Sequence, residues 1–184
     1  MNVILVHGSN FSEKEAKKGK PENERHWKPW LKNKLEAMGI KVSNELYPKD
    51  WNPDYLEWKK LFEKNLINKD SILIGHSAGG GFLVRWLGET KRKIKRLILV
   101  APAIIASKEW NYLDNLLNFK INMSIQNYVN ELIVFVSNDD SKAIKESVNV
   151  LAKSFKIQLI KMKNHGHFTD ITEFPELLAQ ILKE

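Results

Sequence analysis

The sequence predicts an α/β domain: a three-layer αβα sandwich built on a mostly parallel sheet of about six strands. Three observations predict it. Six short segments rich in aliphatic and β-branched residues recur along 184 residues. Several are continuous apolar runs, as strands buried on both faces read. Apolar residues at helical spacing fill the intervals between them. Strands alternating with helices imply right-handed crossovers that cover both faces of the sheet.

In chain order, the first strand is predicted at 3–6, where Val-Ile-Leu-Val stands. A long Lys/Glu-rich connection follows at 10–25, broken by Gly19-Lys20-Pro21, with Phe11 as its one large apolar residue. Connections of that length are commonly functional or mobile, so both a lid and a disordered surface loop are open readings. Trp27, Leu31, Leu35 and Met38 fall on one helical face, taken as core. A second strand is predicted at 40–46. The loop at 47–53 holds two prolines and Trp51, a candidate pocket wall, and leads to a helix marked by Tyr55, Trp58 and Phe62. The third strand, 71–74, runs directly into Gly75-His76-Ser77-Ala78-Gly79 and then an amphipathic helix. The basic run at 91–96 reads as a solvated connection before the fourth strand at 97–101. Residues 102–130 are irregular apart from the stripe Trp110, Leu113 and Leu117, and they are a second candidate wall. A strand at 132–136, a helix carrying Ile144, Val148, Leu151 and Phe155, a strand at 157–161 and a helix carrying Phe174, Leu177 and Ile181 complete the pattern. No linker, repeat or low-complexity tract divides the chain, so residues 1–184 read as one domain.

Composition narrows the function classes. This length buries a sufficient core without disulfides or a structural metal. The chain has no cysteine, which excludes a disulfide framework, a thiolate nucleophile and a zinc-thiolate site. The net charge of +7 raises nucleic-acid binding as a possibility, but the lysine excess is spread along the chain rather than gathered in a stripe. No nucleic-acid partner is expected. No apolar run is long enough to span a bilayer, so no membrane association is expected. Residues 1–8 enter a strand at once, without a basic region or cleavage site. A cytoplasmic location is therefore expected.

The segment 75–79 matches Gly-x-Ser-x-Gly between a strand and a helix, which is the setting of a nucleophile elbow. A serine on so sharp a turn takes a positive φ, and flanking residues without Cβ atoms leave room for it. A chemically silent glycine-rich turn would need neither the serine nor both flanking elements. A phosphate-cradling loop would need glycine spacings that are absent here. A serine hydroxyl requires a base within hydrogen-bond reach and a third group to fix that base's tautomer. Downstream of Ser77 two loops at the same edge of the sheet supply candidates: Asn138-Asp139-Asp140 and Asn164-His165-Gly166-His167-Phe168. Spacing leaves Asp139 and Asp140 open as acid, and His165 and His167 open as base. The N–H of Ala78, the residue after the nucleophile, is one oxyanion donor. His7 and His76 read as structural groups that shape their turns. His165 and His167 near Asp170 fall short of a ligand set, so no metal and no cofactor is expected.

On these pieces the chain resembles the α/β-hydrolase superfamily, and more narrowly the family of small, capless serine hydrolases that includes retinoblastoma-binding protein nine. The resemblance rests on Val-Ile-Leu-Val-His-Gly at 3–8, His26-Trp27 with Trp30-Leu31, Tyr47-Pro48 followed by Trp58, Gly-His-Ser-Ala-Gly-Gly at 75–80, Leu-Val-Ala-Pro at 99–102, 137–140, and Gly166-His167-Phe168. It implies a minimal α/β-hydrolase fold and cleavage of a small ester or amide through an acyl-enzyme, the partner being a small-molecule acyl substrate. It also implies Asp140 as the triad acid, His167 as the base, and the Ser9 N–H as the second oxyanion donor, with Asn10 next in line. The alternative is a catalytically weak protein that uses the same fold to engage a protein partner. The full set of reactive residues speaks against it.

Overall fold

The computed structural model describes residues 1–183. Among them six strands form one sheet: β1 (Asn2–Val6), β2 (Lys41–Ser43), β3 (Ser71–His76), β4 (Ile94–Val100), β5 (Val129–Ser137) and β6 (Gln158–Met162). Every pairing is parallel, in the order β2-β1-β3-β4-β5-β6. The helices are α1 (Glu13–Ala16), α2 (Lys28–Ala37), α3 (Tyr55–Phe62), α4 (Ala78–Thr90), α5 (Asp114–Leu117), α6 (Lys142–Ser154) and α7 (Pro175–Leu182). β3 is buried along its whole length, and β4 and β5 over their C-terminal parts, which is why 72–74, 97–100 and 132–136 are continuously apolar. No helix among the described residues is long and apolar enough to cross a membrane.

The chain steps outward from β1 to β2, then reverses over β1 to reach β3 and continues in that direction. With right-handed crossovers, the reversal puts α2 on one face and α3, α4 and α6 on the other. α7 joins α2, where the Trp27 and Phe174 rings meet edge-on at 5.7 Å. On the opposite face Trp58 and Phe62 of α3 pack against Phe82 and Trp86 of α4, with ring separations of 4.8–5.8 Å. The reversal leaves a crevice beyond the C-terminal ends of β1 and β3, where open parallel sheets collect their ligands.

The loop that leaves β1 is fixed by His7. This imidazole is fully buried; its Nε2 accepts the Tyr47 N–H at 2.8 Å, so the proton sits on Nδ1 and is donated to the Gly8 carbonyl at 2.6 Å. Burial pushes its pKa down to about 4, and the nearby Lys28 adds to that effect while Gly8 and Glu22 oppose it.

Four features depart from the sequence reading. β2 stops at Ser43 because Asn44 turns away to exchange hydrogen bonds with Asn23, amide to carbonyl in both directions, at 2.7 and 2.8 Å. Met38 lies beyond the end of α2 and is half-exposed rather than core. The stripe Trp110, Leu113, Leu117 is not one helix: 3₁₀ turns at Lys108–Leu113, kinked at Trp110, precede the short α5. The basic run is not wholly solvated, because β4 begins at Ile94 and draws Arg96 into the interior. Its guanidinium, fully buried, donates to the carbonyls of Gln180 (2.7 Å), Ile181 (3.3 Å) and Lys183 (3.2 Å), and to Glu131 at 2.6 Å. It thereby closes the C-terminus of α7, where unpaired carbonyls and the helix dipole favour a cation.

Replacing Arg96 by Met keeps the stem but orphans those carbonyls; we expect a loss of about 2–4 kcal/mol in urea unfolding. His7 remains neutral in the folded chain down to about pH 4, whereas in the unfolded chain it protonates near pH 6.5. The unfolded state then binds the extra proton, so stability falls as pH drops through that window, with a slope approaching about 1.4 kcal/mol per pH unit. Urea midpoints measured from pH 7 to 4.5 report it, and His7→Gln removes the His7 share of that slope.

Candidate active site

Ser77 joins β3 to α4 with φ 51° and ψ −120°, in the left-handed half of conformational space that L-residues avoid. Hydrogen bonds hold it there. Its N–H donates to the Val100 carbonyl at 3.0 Å, and its carbonyl accepts from Gly80 at 2.9 Å and Ala103 at 3.0 Å. The flanking glycines serve close approach. A Cβ on Gly75 would lie 2.7 Å from the Gly79 carbonyl oxygen, and one on Gly79 would strike the carbonyls of Val6 and His7. α4 therefore starts directly against the end of β1. Gly8 passes so near that a Cβ on it would stand 3.1 Å from the Cβ of Ser77.

The two downstream loops meet at His167. Its Nδ1 lies 3.1 and 3.2 Å from the two carboxylate oxygens of Asp140, an almost buried side chain that also accepts the Ser141 N–H at 2.6 Å. Donation from Nδ1 leaves the lone pair on Nε2. The other candidate pair is not brought together in this way: the His165 ring bonds the Lys163 carbonyl at 2.7 Å, and Asp139 accepts from Ser137 and from the Gly166 N–H. His76 reaches beyond its own turn, donating from Nε2 to the His167 carbonyl at 2.9 Å. Burial, with Lys28 and His167 adding to it, keeps the His76 pKa well below the usual histidine value, so it is a neutral donor.

Ser77, Asp140 and His167 line one cavity of about 440 Å³ together with Gly8 and Ser9. Ala78 is the first residue of α4, so its N–H has no partner inside the helix. The Gly8 carbonyl is gripped by His7, and in a trans peptide the following N–H, that of Ser9, points the opposite way. One wall is apolar, formed by Trp110, Leu113 and Ile144 with Tyr112, whose hydroxyl lies 3.4 Å from Ser9 Oγ.

Asn10, Phe11, Glu15, Glu22 and Arg25 also line the cavity, from the segment 10–25, which forms a hydrogen-bonded cover. Arg25 organises it. Its guanidinium donates to the carbonyls of Lys20, Lys18 (2.7 Å) and Glu15 (3.4 Å), and to Asn10 Oδ1 at 2.9 Å. Asn10 in turn donates its side-chain amide to Asp50 at 2.6 Å and its N–H to the Asp50 carbonyl at 3.2 Å. Behind them the fully buried Lys28 pairs with Glu22 at 3.0 Å. Sequence reasoning missed Glu22, Arg25 and Lys28, because charges in a Lys/Glu-rich stretch look like solvent-facing ones. It also missed His26, which lines the cavity at φ 59° and bonds the Thr169 backbone. Trp51 does not line this cavity; it sits at a separate depression near Lys49 and Asp50.

Comparison with known proteins agrees with this architecture. A family model described as serine hydrolase matches residues 18–180. The chain is 24% identical over 181 residues to the protein YdeN of Bacillus subtilis, covering 95% of this chain and 90% of YdeN. The crystal structure of the ydeN gene product superposes with a TM-score of 0.83 at 21% identity, covering 100% of this chain and 99% of that one. Est1E of Butyrivibrio proteoclasticus, solved with ferulic acid bound, gives 0.66 at 14% identity, over 98% of this chain and 86% of Est1E. The methylesterase MES16 of Arabidopsis gives 0.65 at 15%, over 99% and 97%. An elbow serine at the reversal point of a parallel sheet, on a chain matched by that family model over most of its length, is an α/β-hydrolase arrangement, and this chain belongs to the serine hydrolase family.

Proposed function

We propose that this protein hydrolyses a small ester, or a small amide, through an acyl-enzyme. The observation that carries the reading is the His167–Asp140 pair facing the cavity of Ser77. Ser77 attacks the substrate carbonyl while His167 Nε2 takes its proton; Asp140, held on Nδ1, fixes the tautomer and stabilises the imidazolium that forms. The N–H groups of Ala78 and Ser9 receive the oxyanion, where fixed dipoles in a water-poor pocket lower the barrier most. His167 then returns the proton to the leaving group, and water repeats the sequence to free the acid. The size of the cavity and its apolar wall of Trp110, Leu113 and Ile144 support a substrate with a compact apolar arm. Structural likeness to a methylesterase and to a carboxylesterase supports an ester over an amide.

A fluorophosphonate probe is expected to label the wild-type chain at one site and to leave Ser77→Ala unlabelled. With p-nitrophenyl acetate, Ser77→Ala and His167→Ala are expected to lower kcat about a thousandfold or more. Turnover that survives in Ser77→Ala would overturn the reading.

A further inference from the structure

Four consecutive residues, 137–140, meet four consecutive residues, 164–167, one for one. The Asn164 N–H donates to Asn138 Oδ1 at 3.0 Å. The His165 N–H donates to Ser137 Oγ at 3.0 Å. The Gly166 N–H donates to Asp139 Oδ1 at 3.0 Å, and His167 donates its ring proton to Asp140. Ser137 spends its own hydroxyl proton on Asp139 Oδ1, so its three-way junction joins two of these contacts into one network.

The β5–β6 ladder ends with Ser137 opposite Met162. Beyond that point no strand pairing supports the chain, apart from the Asn138 N–H donating to the Met162 carbonyl at 3.1 Å. The loop is also conformationally demanding: Asn164, Gly166 and Phe168 all have φ between 51° and 59°. Left-handed residues at such density do not persist unless their surroundings over-determine them. The side chains of 137–139 continue the ladder in place of main-chain carbonyls, and His76 holds the far side through the His167 carbonyl.

From this geometry we infer that Ser137, Asn138 and Asp139 form a clasp that positions His167, with Asp139 as its central positioning residue. The two adjacent acids thus divide the labour: Asp140 orients the ring, and Asp139 orients the backbone that carries the ring. The clasp rests on the reading of His167 as the base, where a displacement of about 1 Å can cost about a hundredfold in rate. Asp139 is suited to the role, because the Ser137 hydroxyl first, and the Gly166 N–H next, hold its carboxyl below the usual aspartate range. Its acceptor oxygens stay ionised across the neutral range.

Three measurements on Asp139→Ala, Asp139→Asn and Asn138→Ala test the clasp: p-nitrophenyl acetate kinetics, amide hydrogen exchange, and the downfield Nδ1 proton resonance of His167 by NMR. Asp139→Ala is expected to lower kcat about tenfold or more with KM within about twofold. Exchange is expected to accelerate at 164–167 while β5 stays protected, and the His167 resonance to broaden. Asp139→Asn keeps a carbonyl oxygen for the Gly166 N–H and is expected to return kcat to within about threefold of wild type. Asn138→Ala, which spares the central junction, is expected to move all three readouts in the same direction and less far; it carries the test if Asp139→Ala does not fold. Unchanged exchange at 164–167 in both alanine variants, or failure of Asp139→Asn to recover, would overturn the clasp. Exchange and the resonance need no turnover, so an inactive wild type would sink the proposed hydrolysis and leave the clasp still decided.

Discussion

One strained residue organises this molecule. Ser77 occupies a backbone region that costs about 1–3 kcal/mol for a residue with a Cβ, and the surrounding structure holds it there. β4 supplies the acceptor for its N–H, α4 and the segment after β4 each supply a donor for its carbonyl, and α4 must begin so close to β1 that only glycine fits at position 79. The sheet order contributes as much as the turn itself. Because the chain reverses direction between β1 and β3, the loop after β1 passes directly over the serine, and two segments about 70 residues apart in sequence meet at one point.

Polar burial follows the same map. The interior is one continuous apolar cluster, yet His7, Asn10, Glu22, Lys28, Asp50, His76 and Asp140 are buried beside or behind the cavity. Buried ion pairs such as Lys28–Glu22 bring little net stability, since desolvation offsets most of the attraction. What such groups supply here is fixed orientation. Arg25 holds three carbonyls of the cover and, through Asn10, the segment that follows Ser9. The cover and the candidate oxyanion loop are therefore parts of one hydrogen-bonded unit.

His7, His76 and His167 show how environment divides roles among identical side chains. His7 and His76 are sealed from solvent and stay neutral, each bonded to backbone. Of these three, His167 has a carboxylate hydrogen-bonded to its ring and lines the cavity. All three adjoin glycine-containing turns at strand ends; in the sequence, position after Ser77 and the Gly166-His167-Phe168 piece of the family resemblance set His167 apart.

The fold class was legible in the sequence because it depends on local periodicity: continuous apolar strands and striped helices encode burial on one or two faces without reference to distant residues. The elbow was legible for a similar reason, since strand, turn glycines and helix are contiguous. Other features were not. Arg96 and Lys28 look solvated in sequence, and only the packing of α7 and of the cover decides that they are buried. Spacing alone left Asp139 equal to Asp140 and His165 equal to His167, because neighbouring residues differ in which way they face, and that direction is set by how two loops 27 residues apart are clasped together. Local pattern determined which elements form and where the serine stands; the convergence of distant loops decided which acid touches which ring, since hydrogen-bond geometry across a site is a property of the assembled chain.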